Sequence, residues 1–158
     1  MARRRTIYPT LDEALFLHDR LVARFGGEPG VRDPGLLDSV LARPRSGYYE
    51  SLSTQAAALL QSLACNHAFI DGNKGVAFAL TAVFLRLNGY RLVVSADDAE
   101  VFLIDAIIVG KADVEAISSW CQREPKSPQL RELKTPHPGY SDASVDWTRP
   151  ALSLSLSL

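Results

Sequence analysis

Residues 74–89 read KGVAFALTAVFLRLNG and carry the strongest fold signal in the chain. Apolar side chains occur on nearly every face of the helix that this stretch would form, and Asn88-Gly89 is an ordinary C-terminal stop. A helix that is apolar almost all round has to be enclosed by other elements. The pattern therefore predicts a helix that begins near Lys74 and lies in the centre of the domain.

Helix start signals recur on both sides of this central helix. Residues 10–13 have the form of a capping box, in which Thr10 and Glu13 each bond the other's free backbone N–H. Asp33-Pro34 supplies a capping side chain followed by a proline at the first helical position. The remaining predicted caps are Ser53, Asp97 or Asp98, and Asp113. These signals predict six helices, over about 10–25, 33–43, 53–67, 74–88, 97–109 and 113–123.

Short connections between these helices predict an all-α fold of about six helices. One short strand is expected at residues 91–95, and the fold class allows at most a small β flap. Cys65 and Cys121 are the only cysteines, and both fall in apolar helical patterns. We expect both to be reduced core residues, as in a reducing cytosol.

Length and charge narrow the function classes. A chain of 158 residues with 47% hydrophobic residues suits one folded domain rather than a disordered chain. A formal net charge of −1 gives no general attraction to nucleic acid or to an anionic membrane. No signal-peptide pattern and no stretch of membrane-spanning length is found. These features predict a cytoplasmic protein with no direct nucleic-acid or membrane partner.

The character of the sequence changes near residue 125. Five of the nine prolines lie in residues 125–158, and the chain ends in LSLSLSL. Alternation at period two is compatible with a strand, but a lone two-sided strand has no obvious partner. We therefore divide the chain into a domain over 1–124 and a Pro/Ser-rich tail over 125–158 that is disordered or an added extension.

The chemistry is expected just before the central helix, in residues 67–75, which read HAFIDGNKG. A helix start offers unpaired N–H groups and a partial positive charge, which together bind anions. Gly72 permits a close backbone approach, and Asn73 and Lys74 add donors and a full positive charge. A cation in the first turn of a helix is disfavoured by the helix dipole and lowers stability by about 0.3–1 kcal/mol. With a phosphate bound there, the cation would be favourable. The segment is therefore a candidate phosphate site.

Two further side chains complete this candidate site. Asp71 is close enough in sequence to hold a divalent cation that bridges the same phosphates, because Mg²⁺ often needs only one or two carboxylates. His67 carries an imidazole, which is suited to accept a proton from an attacking hydroxyl. Ordinary structural roles stay open at this point: a capping His67, a turn at Asp71-Gly72, and a core anchor at Phe69.

Residues 67–74 resemble the motif of the Fic superfamily, H-x-F-x-[DE]-G-N-[GK]-R, and the lysine after the asparagine is similar to the Doc branch. Three other stretches resemble the same branch. They are residues 17–19 (LHD), residues 26–35 (GGEPGVRDPG) and residues 84–89 (FLRLNG). The similarity covers roughly residues 7–124.

The resemblance implies a helical Fic fold and an enzyme that uses ATP and Mg²⁺ to modify a hydroxyl of a protein. In this assignment His67 is the base, Asp71 the metal ligand, and Gly72, Asn73 and Lys74 bind the phosphates. Doc-like toxins phosphorylate a threonine of elongation factor Tu, which blocks translation, and are neutralised by a Phd-type antitoxin. Most Fic proteins transfer AMP instead. The turn at Tyr48-Tyr49 would be the flap that aligns the target chain.

Gly75 departs from the motif, which has arginine at this position. Loss of one preorganised donor of this kind typically costs about a hundred- to a thousandfold in rate. The sequence therefore predicts weak or absent catalysis. Two explanations stay open: a deliberate change that removes toxicity, or a relative that only binds its antitoxin or nucleotide.

Overall fold

The computed structural model describes residues 4–94, 96–121 and 129–132. Six α-helices account for most of them, as the sequence predicts, and the all-α fold class is confirmed. Their bounds are α1 Leu11–Phe25, α2 Pro34–Ala42, α3 Leu52–Asn66, α4 Asn73–Leu87, α5 Ala96–Val101 and α6 Val114–Cys121. A 3₁₀ turn, Arg43–Arg45, follows α2, and a π-helix, Phe102–Val109, continues α5.

Helix α4 lies in the centre of the domain. It packs against α3 and α1, and α3 in turn packs against α6. The α4 side chains that are fully or almost fully buried are Val76, Ala77, Phe78, Ala79, Leu80, Thr81, Phe84 and Leu85. The prediction of an enclosed central helix is confirmed, and its N-terminus is held in place by the helices around it.

Local start signals account for the N-termini of α1, α2, α3 and α6, the last through a 2.8 Å bond from the N–H of Ala116 to Asp113. Thr10 and Glu13 form the predicted capping box of α1, at 3.2 and 2.8 Å. Asp33 caps α2 through a 2.9 Å bond from the backbone N–H of Leu36, with Pro34 in the first turn. The predicted cap of α3 at Ser53 is wrong. Ser51 caps that helix, and Ser53 is already buried in its first turn.

The predicted helix over 97–109 is not one regular α-helix. From Phe102 to Val109 it is wound as a π-helix, in which each backbone bond spans five residues. The wider turn leaves Leu103 and Ile107, four residues apart, both buried. Phe102 stacks on Trp120 of α6, with ring centroids 3.7 Å apart.

The sheet of the described chain has two strands. Strand β1, Tyr90–Val93, confirms the short strand expected after the central helix. Strand β2, Gln129–Glu132, pairs with β1 antiparallel, Tyr90 opposite Glu132. These four residues belong to the 125–158 tail, and β1 supplies the partner strand that the sequence alone did not indicate for the tail. The other tail residues, including the terminal LSLSLSL, lie outside the described residues.

The two cysteines differ in their surroundings. Cys121 is buried, and burial raises the pKa of its thiol to about 12. Cys65 is exposed, so its assignment to the core is wrong. The last turn of α3 extends beyond the packed core, and Cys65, Asn66 and His67 are all exposed there. Both thiols are free.

No helix of the described chain has the length and apolar character that crossing a bilayer requires.

Candidate active site

His67 ends helix α3 in an unusual backbone conformation. It is the C-terminal cap of the helix, with φ 50° and ψ 50°, in the left-handed region. Few residues other than glycine adopt this region, although histidine does so more readily than most. The conformation ends the helix and turns the chain toward a pocket of about 410 Å³ that His67 lines. The imidazole is exposed there rather than packed in the core.

The loop after His67 is fixed to the segment that precedes α2. Ala68 and Phe69 are buried, so the predicted anchor role of Phe69 is confirmed. Phe69 pairs with Val31 as an isolated antiparallel bridge. The carbonyl of Ala68 accepts the N–H groups of Arg32 and Asp33, at 2.8 and 3.1 Å. These contacts hold the loop between α3 and α4 in one conformation.

His18 of α1 supports the same loop from inside the domain. Its side chain is 1% exposed, and its ring stacks on that of Phe69 with centroids 4.1 Å apart. Its Nε2 lies 2.9 Å from the backbone carbonyl oxygen of Asp71. Because a carbonyl oxygen only accepts, Nε2 carries the hydrogen and donates it. His18 therefore fixes both the anchor of the loop and the backbone of Asp71.

The carboxylate of Asp71 is oriented by two backbone donors. Oδ1 accepts the N–H of Gly72 at 2.7 Å, and Oδ2 accepts the N–H of Glu28 at 3.2 Å. Gly27 allows this close approach, because a Cβ at that position would lie 2.8 Å from Oδ2, and its φ is +113°. Each oxygen keeps further lone pairs, so the carboxylate is oriented and can still accept other hydrogen bonds or bind a cation.

Asn73 braces the loop through its side chain. Its side-chain oxygen accepts the N–H of Phe69 at 3.0 Å, and its side-chain nitrogen donates to the carbonyl of Phe69 at 3.0 Å. Each end of the amide thus makes one bond to the loop. The side-chain nitrogen carries a second N–H, so this donor and the backbone N–H of Asn73 are the groups that an anion could use.

The N-terminus of α4 opens into the pocket. Gly72 caps the helix with φ 75° and no side-chain cap bond. Among the described residues, no acceptor is found for the backbone N–H groups of Asn73, Lys74 and Gly75. Nor is an ion pair found there for Lys74, whose ammonium adds a full positive charge. Three open amides, a helix dipole and a cation are together an arrangement that could hold an anion.

All five predicted site residues line one pocket. They are His67, Asp71, Gly72, Asn73 and Lys74, and the other walls come from Phe25, Gly26, Gly27, Ala64 and Ile70. Within the described ranges no cluster of three or more His, Cys, Asp or Glu side chains is found, so Asp71 is a single carboxylate. One carboxylate beside an anion site suits Mg²⁺ carried by phosphates, because Mg²⁺ keeps several waters.

Gly75 occupies the first turn of α4, beside α1. A Cβ built there would lie 3.7 Å from Cδ1 of Leu21, which is an ordinary van der Waals distance. Space for a side chain therefore exists at this position. The helical backbone of Gly75 has no need of glycine, unlike that of Gly72.

Sequence reasoning missed two contributors to this site. One is the imidazole of His18, and the other is the backbone N–H of Glu28. A signal for His18 exists, because it shares the buried stripe of α1 with Ala14, Leu17 and Leu21. A histidine on such a stripe needs a hydrogen-bond partner inside the domain. The sequence does not indicate that this partner is Asp71, fifty-three residues away.

Comparison with known proteins agrees with this geometry. The Fic/DOC family model matches residues 8–85, which include the whole loop and most of α4. Toxin Doc of Mycolicibacterium smegmatis is 44% identical over 101 residues, covering 60% of this chain and 78% of that protein. Protein kinase doc of Escherichia phage P1 is 32% identical over 116 residues, covering 71% of this chain and 90% of that protein.

Proposed function

The chain belongs to the Fic/Doc family, and from this membership we propose that it is a Doc-like toxin that transfers phosphate from ATP to a threonine of elongation factor Tu. Modification of this translation factor would block protein synthesis. One observation carries the proposal: His67 and the uncapped N-terminus of α4 line the same pocket. The relatives are named as a toxin and as a protein kinase, which supports the toxin role and the phosphate transfer in this proposal.

The phosphates of ATP would bind at the start of α4. The backbone N–H groups of Asn73, Lys74 and Gly75 would donate to phosphate oxygens, with the Lys74 ammonium beside them. Transfer of a phosphoryl group depends mainly on positioning and charge neutralisation. Because the loop is fixed by His18 and Asn73, little reorganisation is needed when the nucleotide binds.

Asp71 would hold Mg²⁺ together with the phosphates. Its carboxylate lies on the pocket and is aimed by the backbone N–H groups of Gly72 and Glu28. A bound Mg²⁺ neutralises charge on the phosphate oxygens. The remaining chemistry belongs to the imidazole of His67, which is exposed to the pocket and to an incoming hydroxyl.

His67 would act as general base. A ring nitrogen takes the proton of the threonine hydroxyl while the hydroxyl oxygen forms a bond to the γ-phosphorus. The bond from that phosphorus to the β–γ bridging oxygen breaks, and ADP leaves with the electron pair. The products are phosphothreonine and ADP, and His67 then releases its proton to water.

A Phd-type antitoxin is the proposed partner that restrains this activity, and the cytoplasm is the proposed location because the target is a cytoplasmic translation factor. The name of the relative Toxin Doc supports a toxin–antitoxin pairing. In this proposal the antitoxin is a separate chain.

The test restores the motif residue. We expect Gly75→Arg to raise transfer from γ-labelled ATP to elongation factor Tu by about a hundred- to a thousandfold, because a planar donor then reaches the phosphates. Gly75→Ala is the matched control, since it adds the same Cβ near Leu21 without the guanidinium. No gain over Gly75→Ala would contradict the kinase proposal and favour a relative that only binds.

A parallel reaction with α-labelled ATP separates the two kinds of transfer. Phosphate transfer leaves the α-label in ADP, whereas AMP transfer places it on the target protein. Label on the target from α-labelled ATP would replace the kinase assignment with AMP transfer. Binding of a Phd-type peptide without any transfer, even in the Gly75→Arg protein, would identify a non-catalytic module.

A further inference from the structure

A second cavity, of about 640 Å³, lies beside the C-terminal half of α3 and is separate from the phosphate pocket. We call it the basic groove. Its polar lining consists of Ser39, Arg43, Arg45, Ser46, Ser62 and Asn66, and none of the described residues that line it is acidic. Two guanidinium groups, three hydroxyls and an amide are a donor set that suits a carboxylate or a phosphate.

Arg43 is held firmly but without a counter-ion. Its Nε donates to the hydroxyl of Tyr49 at 2.9 Å, and its Nη1 donates to Oε1 of Gln61 at 3.0 Å and to Oγ of Ser62. All these acceptors are neutral. In the described parts of the chain no carboxylate pairs with Arg43, and no acceptor is found for its Nη2. A fixed, half-buried guanidinium therefore presents an uncompensated charge at the basic groove.

The basic groove ends next to the base. Ser62 and Asn66 are four residues apart, so they lie on one face of α3, and His67 follows directly. Ser62 and His67 are separated by about 7–8 Å along the helix axis at about 1.5 Å per residue. An extended peptide advances about 3.3 Å per residue. If the hydroxyl of such a peptide lies at His67, a peptide side chain roughly two to four residues away would reach Arg43.

The phosphate pocket approaches His67 from the other side of α3. Its lining includes Ala64 and His67, whereas the lining of the basic groove includes Ser62 and Asn66. The donor nucleotide and the acceptor chain would therefore approach the base from different sides. Tyr48, which is 88% exposed, follows the groove residue Ser46 by two positions and leaves this side open to a large partner.

We propose that the basic groove binds an acidic side chain of the acceptor polypeptide, a few residues from the hydroxyl that is modified. This inference rests on the proposed function, since it assigns a sequence preference to the same reaction. Arg45 supplies an exposed charge, and Arg43 supplies the fixed, half-buried one. The expected preference is for aspartate or glutamate at one register and not for net negative charge in general.

Short Gly-Ala peptides with a single threonine test the preference. One glutamate, or one glutamine as its neutral match, is moved in turn through the positions on either side of the threonine. Peptide binding is measured by fluorescence anisotropy on the full chain, and phosphate transfer on the Gly75→Arg protein. We expect one register at which glutamate binds roughly tenfold more tightly than glutamine and lowers KM with kcat unchanged.

Arg45→Gln should reduce that advantage by about half of its free energy, since one of the two guanidinium groups remains and Arg45 is exposed, so that its loss leaves the core untouched. Arg45→Glu should transfer the preference to a peptide with lysine at the same register. Arg20→Gln is the control, because it removes the same charge from the exposed face of α1, where Arg20 lies over the ring of Phe16. The control protein should keep the glutamate preference.

Several outcomes would overturn the inference. They are equal binding of glutamate and glutamine at every register, and a glutamate preference that Arg45→Gln leaves unchanged. Failure of the proposed function gives a different result. Glutamate-dependent binding that Arg45→Gln weakens, together with no transfer to any peptide, would refute the kinase assignment and retain the acid-binding groove.

Discussion

Helices α1 and α4 begin in opposite ways. At the start of α1, side chains of the helix itself accept two backbone N–H groups: Oγ1 of Thr10 accepts that of Glu13, and the Glu13 carboxylate accepts that of Thr10. At the start of α4, Gly72 has no capping side chain, and no acceptor is found among the described residues for the next three N–H groups. Lys74 adds a cation where the helix dipole disfavours one.

This difference separates a structural helix start from a functional one. A capping side chain in place of the N-cap glycine would contribute about a few tenths of a kcal/mol to stability, and α4 forgoes that contribution. The loss is offset elsewhere, because α4 is enclosed by α1 and α3 and the loop before it is fixed by His18 and Asn73. A helix that is stable without its cap leaves its donors open to a ligand. The predictions below perturb the two helix starts and the groups that support them.

The largest effect is expected at the base beside the open helix start. In the Gly75→Arg protein, His67→Asn should lower phosphate transfer about 10²–10⁴-fold, because no general base remains. Asparagine tolerates the left-handed conformation of residue 67, so the fold should be unchanged. Transfer to elongation factor Tu is measured with γ-labelled ATP, and the melting temperature serves as the control. Undiminished transfer would exclude His67 as the base.

The next effect concerns the support of the loop. His18→Phe keeps a ring to stack on Phe69 but loses the donor to the carbonyl of Asp71. We expect it to lower the free energy of unfolding by about 1–3 kcal/mol and to weaken binding of Mg²⁺-ATP. His18→Gln is the matched variant, because its amide N–H replaces Nε2–H without a ring.

Calorimetric titration with Mg²⁺-ATP, alongside urea unfolding, distinguishes positioning from packing. If the hydrogen bond positions Asp71, His18→Gln retains more nucleotide affinity than His18→Phe, whatever their order of stability. If His18 matters only through packing, the ring-retaining His18→Phe is the better binder, and the positioning role is refuted.

Sequence patterns predicted the parts of this molecule that depend on neighbouring residues. The caps at Thr10 and Asp33 are local hydrogen bonds within three residues, and both are confirmed. The site residues from His67 to Lys74 are contiguous, so a helix end, a tight loop and a helix start bring them to one pocket. Enclosure of α4 followed from its all-round apolar surface.

The failures involve choices that local patterns leave undetermined. Ser51 and Ser53 are both acceptable caps, and the structure uses Ser51 because Thr54 completes a capping box there. Cys65 fits an apolar pattern, but the last turn of α3 extends beyond the elements that would cover it. The bond from His18 to Asp71 joins residues far apart in sequence, so only the packed fold defines it.

A smaller effect is expected at the capped helix start. Thr10→Ala removes the acceptor for the N–H of Glu13 and should cost about 0.5–2 kcal/mol of stability. Binding of Mg²⁺-ATP should be unchanged, because this end of α1 contributes nothing to the phosphate pocket. Chemical denaturation and nucleotide titration measure the two properties separately. A loss of nucleotide affinity equal to that of His18→Phe would mean that the two helix starts are not independent.

The smallest change in stability, with the opposite sign, is expected at Lys74. Lys74→Gln removes a cation that the dipole of α4 disfavours, so the free protein should gain about 0.3–1 kcal/mol, and Lys74→Glu should gain about as much again because the dipole favours an anion. The stability of the Lys74→Gln protein should fall between those of the lysine and glutamate proteins. Added salt should reduce the differences in stability among the three, because these charges are partly exposed. The order of the three proteins should reverse for stabilisation by nucleotide. The rise in melting temperature on adding Mg²⁺-ATP should be largest for lysine and absent for glutamate. A glutamate variant that is less stable when free, yet still stabilised by ATP, would mean that Lys74 serves the fold and that the phosphates bind elsewhere.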